Sequence, residues 1–180
     1  MYRIETRLPL VDEILITYKN LIGEAYPGYR NHVYRVVNLC FSTSQFSAIE
    51  KEKIQIAGCF HDIGIWTNKT LDYLAPSTCC AEEYLAKKEH IEWTDEITEI
   101  INMHHRLSRC TESQYPLVEF FRKSDIADFS LGVVSMGLPR ELISALKSEF
   151  PNNGFHLFLL KSAFSWLLKH PLNPAPMFRR

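Results

Sequence analysis

The chain has no basic run, no pair of cysteines at CxxC spacing and no apolar stretch of 18 residues. Each absence closes a class. Without clustered Lys and Arg, and with a formal net charge of -1, binding to a phosphate backbone has no electrostatic footprint, so no nucleic-acid partner is expected. Five cysteines at irregular spacing (Cys40, Cys59, Cys79, Cys80 and Cys110) are too odd in number for a disulfide framework and wrongly spaced for structural zinc, which points to free thiols in a reducing compartment. Without a long apolar run there is no candidate membrane span. The opening residues lack the charged, apolar and small-residue regions of a secretory signal. A cytoplasmic protein without a membrane partner is the expectation. Strand signals are also scarce; only "LGVV" at 131–134 qualifies, and it is short.

What is present is ordinary globular composition, 46% hydrophobic and 23% charged over 180 residues, enough for one domain with a full core. Helical periodicity dominates. Leu10, Ile14, Tyr18 and Leu21 outline a first helix ending near Gly23. "YPGY" at 26–29 reads as a turn. A second helix carries His32, Val36 and Leu39. A third starts at Ser47, with Glu50 as its capping-box partner, and runs to about His61, where Gly64 marks its exit. Residues 64–75 read as a loop. Further helices start at Pro76 or Ser77, at Thr94 as a cap (running to about Arg106), at Pro116 (to about Phe129) and after Pro139. "GFHLFLLKSAFSWLLKH" forms the last one, expected to be mostly buried. Residues 171–180 form an irregular tail. Trp66, Phe60, Tyr73 and Trp93 read as ordinary packing, with an apolar pocket lip as the alternative.

Several titratable residues fall inside apolar stripes. Ile54, Ala57 and His61 are spaced i, i+3, i+7 and share one helical face. His32, Val36 and Leu39 do the same, as do Ile97, Ile100, Ile101 and His104, with His105 one step round. Asp125 sits between Phe121 and Phe129 in the stripe of its helix. A buried carboxylate without a partner costs several kcal/mol, a large part of a domain's stability. Two imidazoles and two carboxylates (His32, His61, Asp62 and Asp125), carried by separate segments, would be relieved together by one divalent cation. Mixed nitrogen and oxygen donors suit manganese, iron, nickel, cobalt or zinc better than magnesium.

His32, the His61-Asp62 pair and Asp125 form an H…HD…D pattern. With the surrounding "YRNHVYRVVNLC", "AGCFHDIGIW" and "RKSDIADF", it resembles the signature of the HD superfamily of metal-dependent phosphohydrolases, over residues 28 to about 130. The resemblance implies an all-α HD-domain bundle of about seven or more helices around a central metal site, completed by C-terminal helices over 139–170. It implies His32, His61, Asp62 and Asp125 as metal ligands. In two-metal branches further histidines hold a second ion. One of them is missing here, from "LAPSTCCAEEYL", where Cys79 and Cys80 stand instead. One tightly held metal is therefore expected, with His104 and His105 left for substrate phosphate, a water or a looser second ion.

The activity implied is hydrolysis of a phosphoester of a nucleotide or other small phosphorylated metabolite, with Asp62, His104 and His105 as catalytic groups. Family members often carry a lysine soon after HD-x-G. Ile65 and Trp66 fill those places, so Arg106, Lys69, Arg35 and Lys123 become the candidate phosphate partners. Two other readings follow from the same resemblance: a di-iron oxygenase, and a non-catalytic nucleotide-binding regulatory module. The apolar last helix also offers a surface for a homodimer.

Overall fold

A computed structural model describes residues 2–178. It is all-helical, with no strand among the described residues. The elements are α1 (Pro9–Ile22), α2 (Tyr26–Phe41), α3 (Ala48–Phe60), α4 (Gly64–Thr67), α5 (Leu74–Lys87), α6 (Thr94–Met103), α7 (Pro116–Phe129), α8 (Arg140–Glu149) and α9 (Phe155–Lys169), with single 3-10 turns at Gly23–Ala25, Ile91–Trp93 and Pro176–Phe178. No helix is long and apolar enough to cross a membrane.

α2 is the central helix. Tyr29, His32, Val33, Tyr34, Arg35, Val36, Val37 and Leu39 are all buried, and it packs against α1, α3, α7, α8 and α9. A helix covered on every side can carry inward polar groups only where other helices bring them partners. For His32 and Arg35 those partners come from the residues after α3, from α7 and from the Phe150 carbonyl after α8.

Local chemistry explains most boundaries. Ser47 accepts from the Glu50 backbone N–H while the Glu50 carboxylate accepts from the Ser47 N–H, a complete capping box at the start of α3. Gly23, at φ 64°, ends α1. "YPGY" is not a free turn: it is the first turn of α2, because proline is tolerated where the backbone N–H has no helical partner anyway. Gly28 is needed there for a close approach, since a Cβ would lie 2.9 Å from the Asn152 carbonyl oxygen and 3.0 Å from the Phe155 Cβ. The stretch 64–75 is not a plain loop. Gly64 opens α4, and α5 begins at Leu74, with Pro76 in its first turn. α6 stops at Met103, short of the expected Arg106, and Thr94 begins it without a side-chain cap. "LGVV" forms turns.

The largest departure is α9. Expected to be mostly buried, it contributes only Phe155 to the core, while Leu157, Leu160, Phe164, Leu167 and Leu168 are between 42% and 69% exposed.

Gly64 also sets the approach of α4 to α5. A Cβ there would sit 2.3 Å from the Tyr73 carbonyl oxygen, 2.9 Å from the Pro76 Cβ and 3.0 Å from the Ser77 nitrogen, and the Gly64 N–H donates to Ser77 Oγ. Backbone cannot yield as a flexible side chain does. Gly64→Ala is expected to cost about 1–3 kcal/mol, measurable by urea unfolding against Gly137→Ala, where a Cβ meets open space but the positive φ adds its own smaller strain.

Candidate metal centre

The inward groups are delivered by helix ends as much as by helix faces. His61 is the C-cap of α3 and His104 the C-cap of α6. Each turns Nδ1 back onto a carbonyl of its own last turn, His61 to Gly58 O at 2.8 Å and His104 to Ile101 O at 2.6 Å. Those carbonyls belong to the set a helix leaves unpaired at its C-terminus. A carbonyl only accepts, so Nδ1 carries the proton in both rings and Nε2 presents a lone pair. His32, in mid-α2, reaches the same state differently. Its Nδ1 lies 2.7 Å from Asp128 Oδ2, and Arg35 grips that carboxylate through 2.6 and 2.9 Å contacts.

The three Nε2 atoms turn toward two carboxylates. His32 Nε2 and His61 Nε2 are 3.0 Å apart. Asp125 Oδ1, from α7, is 3.5 Å from the first and 3.6 Å from the second. Asp62 Oδ2 is 3.4 Å from His61 Nε2 and 3.9 Å from His32 Nε2, and Asp62 Oδ1 is 3.5 Å from His104 Nε2. The carboxylates of Asp62 and Asp125 thus meet the same two imidazoles, the arrangement a shared ion requires. All these residues are buried. Asp62 Oδ1 and His104 Nε2 have no hydrogen-bond partner among the described residues. Lone pairs crowded at hydrogen-bond distance, with a buried carboxylate oxygen left over, are a set of donors to a cation. Two groups meet the distance requirement of a metal site: His32 with His61 and Asp62, and Asp62 with His104 and His105. Asp125 joins the first through its two imidazole neighbours. The cluster could hold a metal ion. Cys79 is exposed, Cys80 half-buried, and neither belongs to either group.

Electrostatics agree with a missing positive charge. Burial pushes His61 down to about 3, so its ring is neutral. Burial pushes Asp125 up to about 6, with Asp62 and Asp128 adding to the rise against the pull of His104 and His32. Burial alone would raise Asp62 too, but His61 and His104 hold it well below the usual carboxylate range. His104 is raised above the ordinary histidine value: burial opposes its charge, and Asp62 and Asp125 outweigh burial. Protons therefore occupy Asp125 and His104 in the range where a cation must replace them. Metal affinity is expected to fall about tenfold or more per pH unit below about 6, with protons released on binding. Calorimetry between pH 5 and 8 in buffers of different ionisation enthalpy measures both. An affinity flat over that range would contradict the donor assignment.

A cavity of about 330 Å³ opens onto this cluster, with His32, Asp62 and Asp125 in its lining beside Tyr73, His105 and His156. Tyr73 is not ordinary packing. Its hydroxyl pairs with His105 Nε2. Burial first, then Asp62, holds the phenol well above its ordinary value, so the hydroxyl keeps its proton. Trp66 and Trp93 do sit in the core cluster, and Phe60 packs edge-on against Tyr18.

The four cations expected to meet phosphate lie elsewhere. Arg35 is buried against Asp128 and the Phe150 carbonyl. Arg106 pairs with Glu112 at 3.1 Å and Lys123 with Glu119 at 3.7 Å. Lys69 lines a different cleft, beside Trp66, Lys161 and Trp166. Sequence reasoning brought Tyr73 no nearer than a pocket lip and missed Asp128 and His156. Asp128 had a signal, since it falls three residues after Asp125 on the same helical face.

Comparison of the chain with protein-family models, with curated proteins and with solved structures found no match.

Proposed function

We propose that this chain is a metal-dependent phosphohydrolase of the HD type, with His32, His61, Asp62 and Asp125 as the ligands of a divalent ion. One observation carries the reading: imidazole Nε2 and carboxylate oxygen atoms from α2, α7 and the residues after α3 and α6 converge, each within 3.0–3.9 Å of its neighbours. A bound divalent ion supplies Lewis acidity and brings the pKa of water from 15.7 toward about 7. The rest is the work of side chains. Hydrolysis forms a bond from water oxygen to phosphorus, breaks the bond to the ester oxygen and leaves one proton on the departing alcohol. His105, oriented by the Tyr73 hydroxyl at the cavity wall, is the group best placed to move that proton. Asp62, common to both donor groups, would help hold an ion in either and would orient the attacking water.

The test is reconstitution. Protein stripped with EDTA and reloaded with manganese, nickel, cobalt or zinc should bind about one tight equivalent and hydrolyse a chromogenic phosphoester; stripped protein should not. The second donor group also favours the di-iron oxygenase reading, which two irons per chain with a mixed-valent resonance, and no phosphatase activity, would establish instead. Ligand binding with no metal would favour a regulatory module.

A further inference from the structure

The walls of the cavity beside the metal cluster are apolar, and no Lys or Arg lines it among the described residues. Leu71, Phe129, Leu159, Ala163, Pro174 and Met177 supply carbon surface. The polar groups other than the metal cluster are three, and each is engaged. Tyr73 and His105 are paired with each other. His156 donates to the Phe129 carbonyl oxygen at 3.0 Å, and burial lowers its proton affinity. The free lysines of this region face away: Lys69, Lys161 and Lys169 line the cleft on the other flank of α9, which shares only Ile65 and Leu71 with the cavity.

We infer that the ligand of this cavity is an organic compound with a single phosphoryl group on an apolar body of one or two rings, and not a polyphosphate or a sugar phosphate. The inference rests on the metal-centre reading above, since among the described residues lining the cavity no side chain offers positive charge to a phosphoryl group. One such group can be neutralised at the cluster. A second phosphate, or a hydroxylated sugar, would be stripped of water against a wall that is mostly carbon among the described residues. Size agrees: an apolar cavity of about 150 Å³ takes a benzene ring, and this one is about 330 Å³. Hydrolysis of such an ester would move water oxygen onto phosphorus and release the apolar alcohol with one proton.

Two measurements separate this inference from the hydrolase reading. In the first, calorimetry on manganese-loaded protein compares 1-naphthylmethylphosphonate, which cannot be hydrolysed, with glucose 6-phosphate and ADP. The naphthyl compound should bind roughly a hundredfold more tightly than either. Ala163→Phe, at an exposed helix position that tolerates bulk, should weaken it about tenfold or more and leave metal content unchanged. In the second, kcat/KM for 1-naphthyl phosphate should exceed that for glucose 6-phosphate by a similar factor. Tight naphthylphosphonate binding without turnover of any ester sinks the hydrolase reading and upholds the ligand class. Equal or tighter binding of ADP or glucose 6-phosphate, or an Ala163→Phe variant that binds the naphthyl compound as well as the native protein, overturns the inference even if phosphate esters are cleaved.

Discussion

Asp62→Asn should yield a folded protein that no longer retains a divalent metal. Asp62 is the one residue common to both donor groups, and its two oxygens face different imidazoles, Oδ2 toward His61 and Oδ1 toward His104. The amide removes the negative charge and turns one acceptor into a donor. Loss should exceed the 10–100-fold in affinity that removing a hydrogen-bonding support of a ligand typically costs. The fold should survive, because the substitution keeps the size and shape of the side chain. Thermal unfolding gives the cleanest readout. Native protein with metal at about 100 times its Kd gains about 2.7 kcal/mol, a rise in Tm of several degrees for a chain of this size. The variant should show no rise at the same concentration, while His90→Ala, which alters a half-buried histidine stacked on Trp93 and outside both donor groups, should keep it. An Asp62→Asn protein with stoichiometric metal and an undiminished Tm increment would remove the basis for the ligand set.

The floor of this site was legible in the sequence because burial and helical spacing are periodic properties. His61 stands seven residues after Ile54 and Asp125 four after Phe121, so a helix wheel puts both in the core. What holds them was not legible. Asp128 and Arg35 are 93 residues apart in the chain, and no pattern along either helix says that they meet, although each lies three positions after a site residue, His32 or Asp125. Tyr73 was hidden for another reason. It falls in a stretch whose Thr, Asn and Asp residues read as loop, and only the single turn of α4 and the Gly64 contact bring it to His105. The candidate phosphate partners lie off the cavity because proximity in sequence to a motif says nothing about direction: Arg35 follows His32 by one turn, yet its guanidinium is taken up by the Asp128 carboxylate that also meets His32 Nδ1. α9 shows the same limit for hydrophobicity. Lys161, Ser165 and Lys169 mark one polar stripe, but the remaining surface is apolar on several sides, so composition cannot tell which of those faces are covered.

Removing the Asp128 carboxylate should be the most damaging single change away from the ligands. Arg35 and Asp128 are both buried, joined by contacts of 2.6 and 2.9 Å, and Arg35 reaches on to the Phe150 carbonyl at 2.8 Å, tying α2 to α7 and to the end of α8. Asp128→Ala strands a guanidinium without its counter-charge, at a cost of about 3–5 kcal/mol, which lowers Tm by roughly 10 °C. The His32 ring loses the acceptor for Nδ1–H in the same step, and metal affinity should drop 10–100-fold even though no ligand has been touched. The two effects separate in the double variant. Arg35→Met with Asp128→Ala takes away the stranded charge, so most of the stability should return, whereas the His32 ring still lacks its acceptor and the affinity should stay low. Acid unfolding gives an independent check on the pair. Burial opposes the Asp128 charge, yet His32 and Arg35 hold its carboxyl down to about 2, below the unfolded value near 3.9. Its contribution is therefore present above about pH 4 and lost as pH falls toward 2; in Asp128→Ala that limb of the stability curve should flatten. A double variant less stable than Asp128→Ala, or one that regains metal affinity along with stability, would mean that the pair does not buttress His32 in the way its geometry indicates.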